Sequence, residues 1–463
     1  MRLAALLASC AFVSAASAAD LSPEQKRTLD GLIARGLADD VAWDLTEGLT
    51  TEIGARMPGT ESEARARDWS VRELKRLGFE NVRIETFPMR AWTRVREEVS
   101  IVAPFPQPLA ATALGNSVAT PEGGLTAEVV RFSSMADLRA APEGSLKGKI
   151  AFVDARMTRT QDGSGYGAVV AMRGGAAVEG AKKGAVAAII RSIGTDDHRN
   201  PHTGVMRYAD GVAPIPALAL ANPDADQLSR AIARAKEPVR LKIALETAVA
   251  ENAESGNVIA EIPGQTDEIV LVSGHLDSWD LGTGAVDDAS GVAIAAAAAK
   301  LVGDLKGKPK RTIRVVFWGA EEVGLLGAFA YGQQYKDAMA KHVLAGESDF
   351  GAGRVWRVRT RFGDGALGAP FAAALAPLGV TPGGNGEAEG SDITVLKIAG
   401  VPILELLQDG LDYFDLHHTP DDTLDKINVA NLRQNVAAWA AALYIASESG
   451  ADYRAPAKGE PKK

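Results

Sequence analysis

Thiols are almost missing from this 463-residue chain, whose one cysteine is Cys10. Disulfide frameworks and thiolate metal ligands are thereby excluded, and any tightly held metal must rest on His, Asp and Glu. Histidine is scarce too, with six in the chain. No stretch concentrates Lys and Arg, and the net charge is −9, so no nucleic-acid partner is expected. Long apolar runs are lacking. The run Leu3 to Val13, after Arg2, falls short of the roughly 18 residues that a bilayer span needs, and no membrane span is expected. Followed by Ala15-Ala16-Ser17-Ala18, it reads instead as an export signal over residues 1–19, placing the protein in the periplasm or outside the cell. Leu7-Ala8-Ser9-Cys10 resembles a lipoprotein processing site close to Met1, which leaves lipidation at Cys10 open.

What remains is an ordinary globular composition, 46% hydrophobic and 24% charged. Ser22-Pro23-Glu24-Gln25 reads as a capping box opening a helix, and Thr60 with Glu63 opens another that stops at Gly78. Strand-like runs follow near Val82–Phe87 and Glu98–Val102. Between residues 119 and 248 the character changes to short, Gly-flanked apolar strands such as Gly148-Lys149-Ile150-Ala151-Phe152-Val153. From Asn257 strands and helices alternate. Apolar runs at Val258–Ile262, Ile269–Ser273, Ile313–Phe317, Val343–Ala345 and Ile403–Leu406 are separated by helical stretches. That alternation predicts an α/β fold, a three-layer sandwich with a mostly parallel central sheet. The expected divisions are residues 20–118 and 249–454 for the main domain, 119–248 for a β-rich insert, and 455–463 for a disordered tail.

The chemistry-bearing residues stand just past strand ends, where ligand crevices of open α/β sheets lie. His275 follows the Ile269–Ser273 run, and Asp277 can accept its other ring N–H. Asp287-Asp288 opens the next helix, so that Asp287 can bridge two metals while Asp288 caps. Glu321-Glu322 leaves the Ile313–Phe317 run, one glutamate free to ligate and the other to address a bound water. Asp349 and the pair His417-His418 complete the set. Any one of these is equally a cap, an acidic turn or a loop histidine; their coincidence at successive strand ends points to a metal-dependent hydrolase.

Gly274-His275-Leu276-Asp277-Ser278-Trp279-Asp280, Gly284-Ala285-Val286-Asp287-Asp288, Ala320-Glu321-Glu322, Glu347-Ser348-Asp349 and His417-His418 together resemble the co-catalytic zinc exopeptidases, the family of bacterial leucyl aminopeptidases, and within it the carboxypeptidase Q-like members. The insert resembles a protease-associated domain placed like a lid. The resemblance implies two Zn²⁺ ions, with His275, Asp287 and Asp349 on one and Asp287, Glu322 and His418 on the other. It implies Glu321 as general base, Asp277 behind the histidine, and His417 where aminopeptidase relatives place an aromatic residue against the reacting carbonyl. Short peptides or dipeptides are the implied substrates, with the recognised terminus undecided and a homodimer left open. Ser391-Asp392-Ile393 departs from the Ser-Asp-His of some relatives, and His202 reads as an ordinary loop histidine. The competing readings are a metal-free binding protein on the same fold and a single-zinc enzyme of the glutaminyl cyclase kind.

Overall fold

The computed structural model describes residues 21–456. The expected export signal and residues 457–463 of the expected tail lie outside the described residues. The local signals act as read. Ser22 and Gln25 exchange side-chain and backbone hydrogen bonds of 2.9 and 3.2 Å at the head of the helix Pro23–Gly36. The Thr60 hydroxyl accepts the Glu63 N–H ahead of the helix Glu61–Arg76, which stops before Gly78, a residue at φ 90°.

In chain order the first strands are β1 (Glu80–Ala103), β2 (Gln107–Leu109), β3 (Ala111–Ala113), β4 (Leu125–Phe132), β5 (Ile150–Val153), β6 (Ala187–Arg191), β7 (Ala217–Leu220) and β8 (Arg240–Ile262). A second series follows: β9 (Ile269–His275), β10 (Thr312–Trp318), β11 (His342–Glu347), β12 (Val355–Arg361), β13 (Thr381–Asn385) and β14 (Ile403–Gln408). Strands β14, β11, β9 and β10 lie side by side and parallel. On one flank β8 pairs antiparallel with β10, and on the other β12 pairs antiparallel with β14. The sheet is therefore mixed around a parallel centre, because the short loop 263–268 reverses the chain between β8 and β9 without a crossover helix.

The run of β9 is apolar throughout because both its faces are covered. Val270 and Val272 join one core with the helices Ser290–Gly303 and Val429–Glu448, while Ile269 and Leu271 join another with Tyr331 and Leu396. Three layers result.

The two runs expected near Val82–Phe87 and Glu98–Val102 are one strand, and the run expected at Val258–Ile262 is the end of the long strand β8. β1 and β8 form a long antiparallel ribbon whose far end enters a second lobe. There β4, β5, β6 and β7 run parallel, with β3 antiparallel beside β7. The helices Ala171–Lys182 and Asn222–Arg234 cover this sheet over two further cores. The lobe is thus an α/β layer structure, more helical than the β-rich reading of its sequence. Among the described residues no helix is long and apolar enough to cross a membrane.

Candidate metal centre

β9 and β10 are parallel neighbours with His275 opposite Trp318, so the segments leaving their ends run side by side. His275 is buried. Its Nδ1 lies 2.9 Å from the carbonyl of Asp277, which fixes a proton on Nδ1 and makes Nε2 the nitrogen whose lone pair can ligate. That Nε2 faces Asp287 Oδ1 at 2.9 Å and Asp349 Oδ1 at 3.3 Å. On the other side, His418 Nε2 faces Asp287 Oδ2 at 3.3 Å and Glu322 Oε2 at 2.9 Å. Asp287 therefore turns one oxygen to each imidazole, and each imidazole has one further carboxylate. All five expected ligands converge.

Asp288 does what a helix-opening acid should: its oxygens accept the N–H of Gly291 at 3.1 Å and of His275 at 3.0 Å. The role expected of Asp277 is corrected. Its carboxylate stands 3.9 Å from the His275 ring nitrogen and instead accepts the backbone N–H groups of Glu321 and Glu322, both at 3.1 Å. The parallel register sets the two glutamates beside it. Asp277 thus holds His275 through its carbonyl and the Glu321-Glu322 turn through its carboxylate.

Burial opposes charge on every one of these groups, and the partners decide the outcome. For His275 burial lowers the pKa, yet Asp349 and Asp287 hold it well above the ordinary value. For Asp287 burial raises it, but His275 and His418 drive it well below the carboxylate range. For Glu321 burial outweighs the opposing charge of His275 and, reinforced by Asp349 and Glu322, pushes it well above the usual range. Behind Asp349, burial and the Asp349 charge push Glu347 up to about 8. No Lys or Arg forms an ion pair with Asp287, Glu321, Glu322 or Asp349 among the described residues. Such a set of buried, uncompensated carboxylates and imidazoles is stabilised by bound cations of matching hardness. A buried Glu322 Oε1 without a hydrogen-bond partner agrees. Donor chemistry and arrangement fit a pair of divalent metals sharing Asp287.

His417 lines the same cavity of about 370 Å³. It stacks on His418 with ring centroids 4.0 Å apart and is ringed by Tyr413, Phe414 and Tyr166. Burial, then the neighbouring His418, hold it well below the usual imidazole value, hence neutral and able to donate one N–H.

Several contributors carry no readable local signal. Arg56 is fully buried and donates to the carbonyls of Leu276, Thr283 and Gly284 at 2.6–2.8 Å, clamping the loop between His275 and Asp287. Asp422 accepts the Val286 and Asp287 N–H groups at 2.6 and 3.3 Å. From the second lobe, Thr203 accepts from His418 Nδ1 at 3.3 Å and donates its own N–H to the His418 carbonyl at 3.0 Å. His418 sits at φ 61°, a left-handed conformation that costs a residue with a β-carbon roughly 1–2 kcal/mol, so these bonds hold a strained histidine in place. His202, next to Thr203, is buried against Asp196 at 2.8 Å and does not reach the centre. Trp279 fills the core between the lobes and Asp280 pairs with Arg94 at 2.7 Å, so that part of the motif is structural.

Fold and site together define a metallopeptidase. The sequence profile of peptidase family M28 matches residues 257–443, and the chain belongs to that family. It is 36% identical over 406 residues to carboxypeptidase Q of Mus musculus, covering 86% of this chain and 84% of that one. A peptidase M28 precursor from Shewanella amazonensis SB2B superposes with a TM-score of 0.91 at 46% identity, covering 94% of this chain and 99% of the other. A zinc aminopeptidase from Bacillus subtilis shares the fold with a TM-score of 0.64 at 21% identity, over 90% and 97% of the two chains.

Proposed function

We propose that this chain is an exported exopeptidase that hydrolyses short peptides, dipeptides included, at a centre for two zinc ions. One observation carries the reading: the two oxygens of Asp287 address two different imidazoles, each with its own second carboxylate. His275, Asp287 and Asp349 would hold one ion, and Asp287, Glu322 and His418 the other. Bound there, paired divalent ions would polarise the scissile carbonyl and bring the pKa of water toward about 7. Glu321, on the turn that Asp277 fixes, takes the proton of the attacking water and returns it to the leaving amine. His417 donates a hydrogen bond to the carbonyl oxygen as charge develops on it. The aromatic ring around His417, together with Tyr166 and Val205 among the second-lobe residues that reach the cavity, excludes water and favours small substrates. The second lobe, in this reading a protease-associated domain, covers the centre and also steadies His418 through Thr203.

The complete donor set argues against a metal-free binding protein, and the shared Asp287 against a single-zinc enzyme. A panel of dipeptides, free or blocked at either end, assayed before and after chelation and zinc add-back, tests the proposal. Chelation should abolish hydrolysis and two equivalents of zinc restore it. Restoration at one equivalent, or activity that survives chelation, sinks it.

A further inference from the structure

We infer that Arg173, contributed by the second lobe, anchors the free C-terminal carboxylate of the substrate and so selects peptides that end at the residue after the scissile bond. The inference rests on the peptidase reading above and names the substrate feature that the site recognises. Arg173 is the one Lys or Arg lining the cavity, beside four carboxylates. It is half-buried, yet among the described residues it forms no ion pair. The polar atom beside it is His418 Nδ1, at 3.4 Å from Nη1.

That contact cannot satisfy it while His418 ligates. With Nε2 committed to the centre, the proton of His418 is on Nδ1 and goes to the Thr203 carbonyl. Two donors then face one another, and the guanidinium, with five N–H groups and no acceptor capacity, is left seeking an acceptor. The surroundings keep it in place. The guanidinium carbon lies 5.7 Å from the centroid of the Tyr166 ring, and the guanidinium passes over Gly204, where a β-carbon would fall 2.3 Å from Nη1.

An acceptor supplied by substrate fits in charge and place. The planar guanidinium matches a carboxylate through two parallel hydrogen bonds. In a dipeptide the carboxylate is one residue beyond the scissile carbonyl, about 3.8 Å per Cα step. Arg173 stands one imidazole width from the centre, on the His418 side, which suits that span. A C-terminal amide or a longer peptide would put a neutral group against the guanidinium, leaving it unpaired.

The test compares wild type with Arg173→Met and Arg173→Lys on L-leucyl-L-alanine, L-leucyl-L-alaninamide and similar acid and amide pairs, at saturating zinc. In R173M the ratio of kcat/KM for acid over amide should fall about 10- to 100-fold, mainly through KM, as expected for loss of a charge-assisted bidentate contact. R173K should fall between, and both should retain wild-type zinc content. If R173M does not fold, R173K carries the same comparison. A ratio that stays within about twofold of wild type overturns the inference. So does loss of zinc with acid and amide rates falling together, which would make Arg173 a support for His418. Calorimetric titration of zinc-loaded E321Q, with and without R173M, using the same acid and amide, gives a readout free of turnover. It still judges Arg173 if wild type hydrolyses none of the peptides, the outcome that would defeat the peptidase reading alone.

Discussion

The two lobes each end a stack of parallel strands in buried charged side chains, and they treat that charge oppositely. In the second lobe Asp154, just past β5, meets Arg191 at the end of β6 and Arg131 of β4, and also accepts from Ser229 at 2.7 Å. Arg191 in turn reaches Asp226 at 2.6 Å and the Asn222 carbonyl at 2.9 Å. Every buried charge there has a partner from the protein. At the ends of β9, β10 and β11, the carboxylates of Asp287, Glu322 and Asp349 gather around imidazoles with no such cation. The same strand-end crevice is a closed structural network in one lobe and an incomplete one in the other. Leftover negative charge, rather than the topology, marks the reactive lobe.

The sharpest way to break that contrast is Glu321→Gln, which removes the proposed proton carrier while sparing the proposed ligands. Its kcat should fall about 10²- to 10⁴-fold, with zinc content unchanged by elemental analysis. Glu322→Ala or His418→Ala should instead cut zinc content toward one ion per chain and lose activity with it. A variant that keeps both ions and full turnover would remove its residue from the centre.

In the second lobe, Arg191→Met should cost about 3–5 kcal/mol in urea unfolding, because Asp154 loses the one buried partner of its network. Zinc content per folded molecule should not change. A stability near wild type would mean that the network is not what closes this strand end.

The smallest effect sharpens the comparison within one strand. His342 opens β11, at the end opposite Asp349, and its Nε2 accepts from the Tyr331 hydroxyl at 2.6 Å. Burial, aided by Arg314, lowers its pKa to about 4. The folded state thus keeps this imidazole neutral where the unfolded chain protonates it near its ordinary value. Its contribution is complete above about pH 6.5 and is lost as pH falls toward 4, a total of about 3 kcal/mol. His342→Gln should flatten that part of the urea stability profile between pH 7.5 and 4.5; equal slopes for the two proteins would discard the assignment.

Much of the centre was legible in the chain because its signals are local. Apolar runs ending in His275, Glu321 and Asp349 marked strand ends, and Asp288 at a helix start marked a cap. The alternation from Asn257 gave the layers but not the mixed sheet, since nothing in β8 announces its direction. β12 was missed: Arg357, Arg359 and Arg361 alternate along it, which reads as surface charge until β14 is seen beside it. Asp277 was misread for a related reason. Its sequence neighbour is His275, whereas the N–H groups its carboxylate accepts come from a turn 44 and 45 residues away.

By itself the sequence determined which atoms are available to hold a metal. A chain with a single thiol leaves imidazoles and carboxylates, and periodicity and capping, which act over a few residues, put them at strand and helix ends. Only the tertiary structure decided how those atoms are shared. That Asp287 faces two histidines, that Thr203 grips His418 from 215 residues away, and that Arg173 reaches the cavity beside His418 all depend on where separate segments cross. Those crossings are set by the packing of two lobes and their ribbon, which no local pattern encodes.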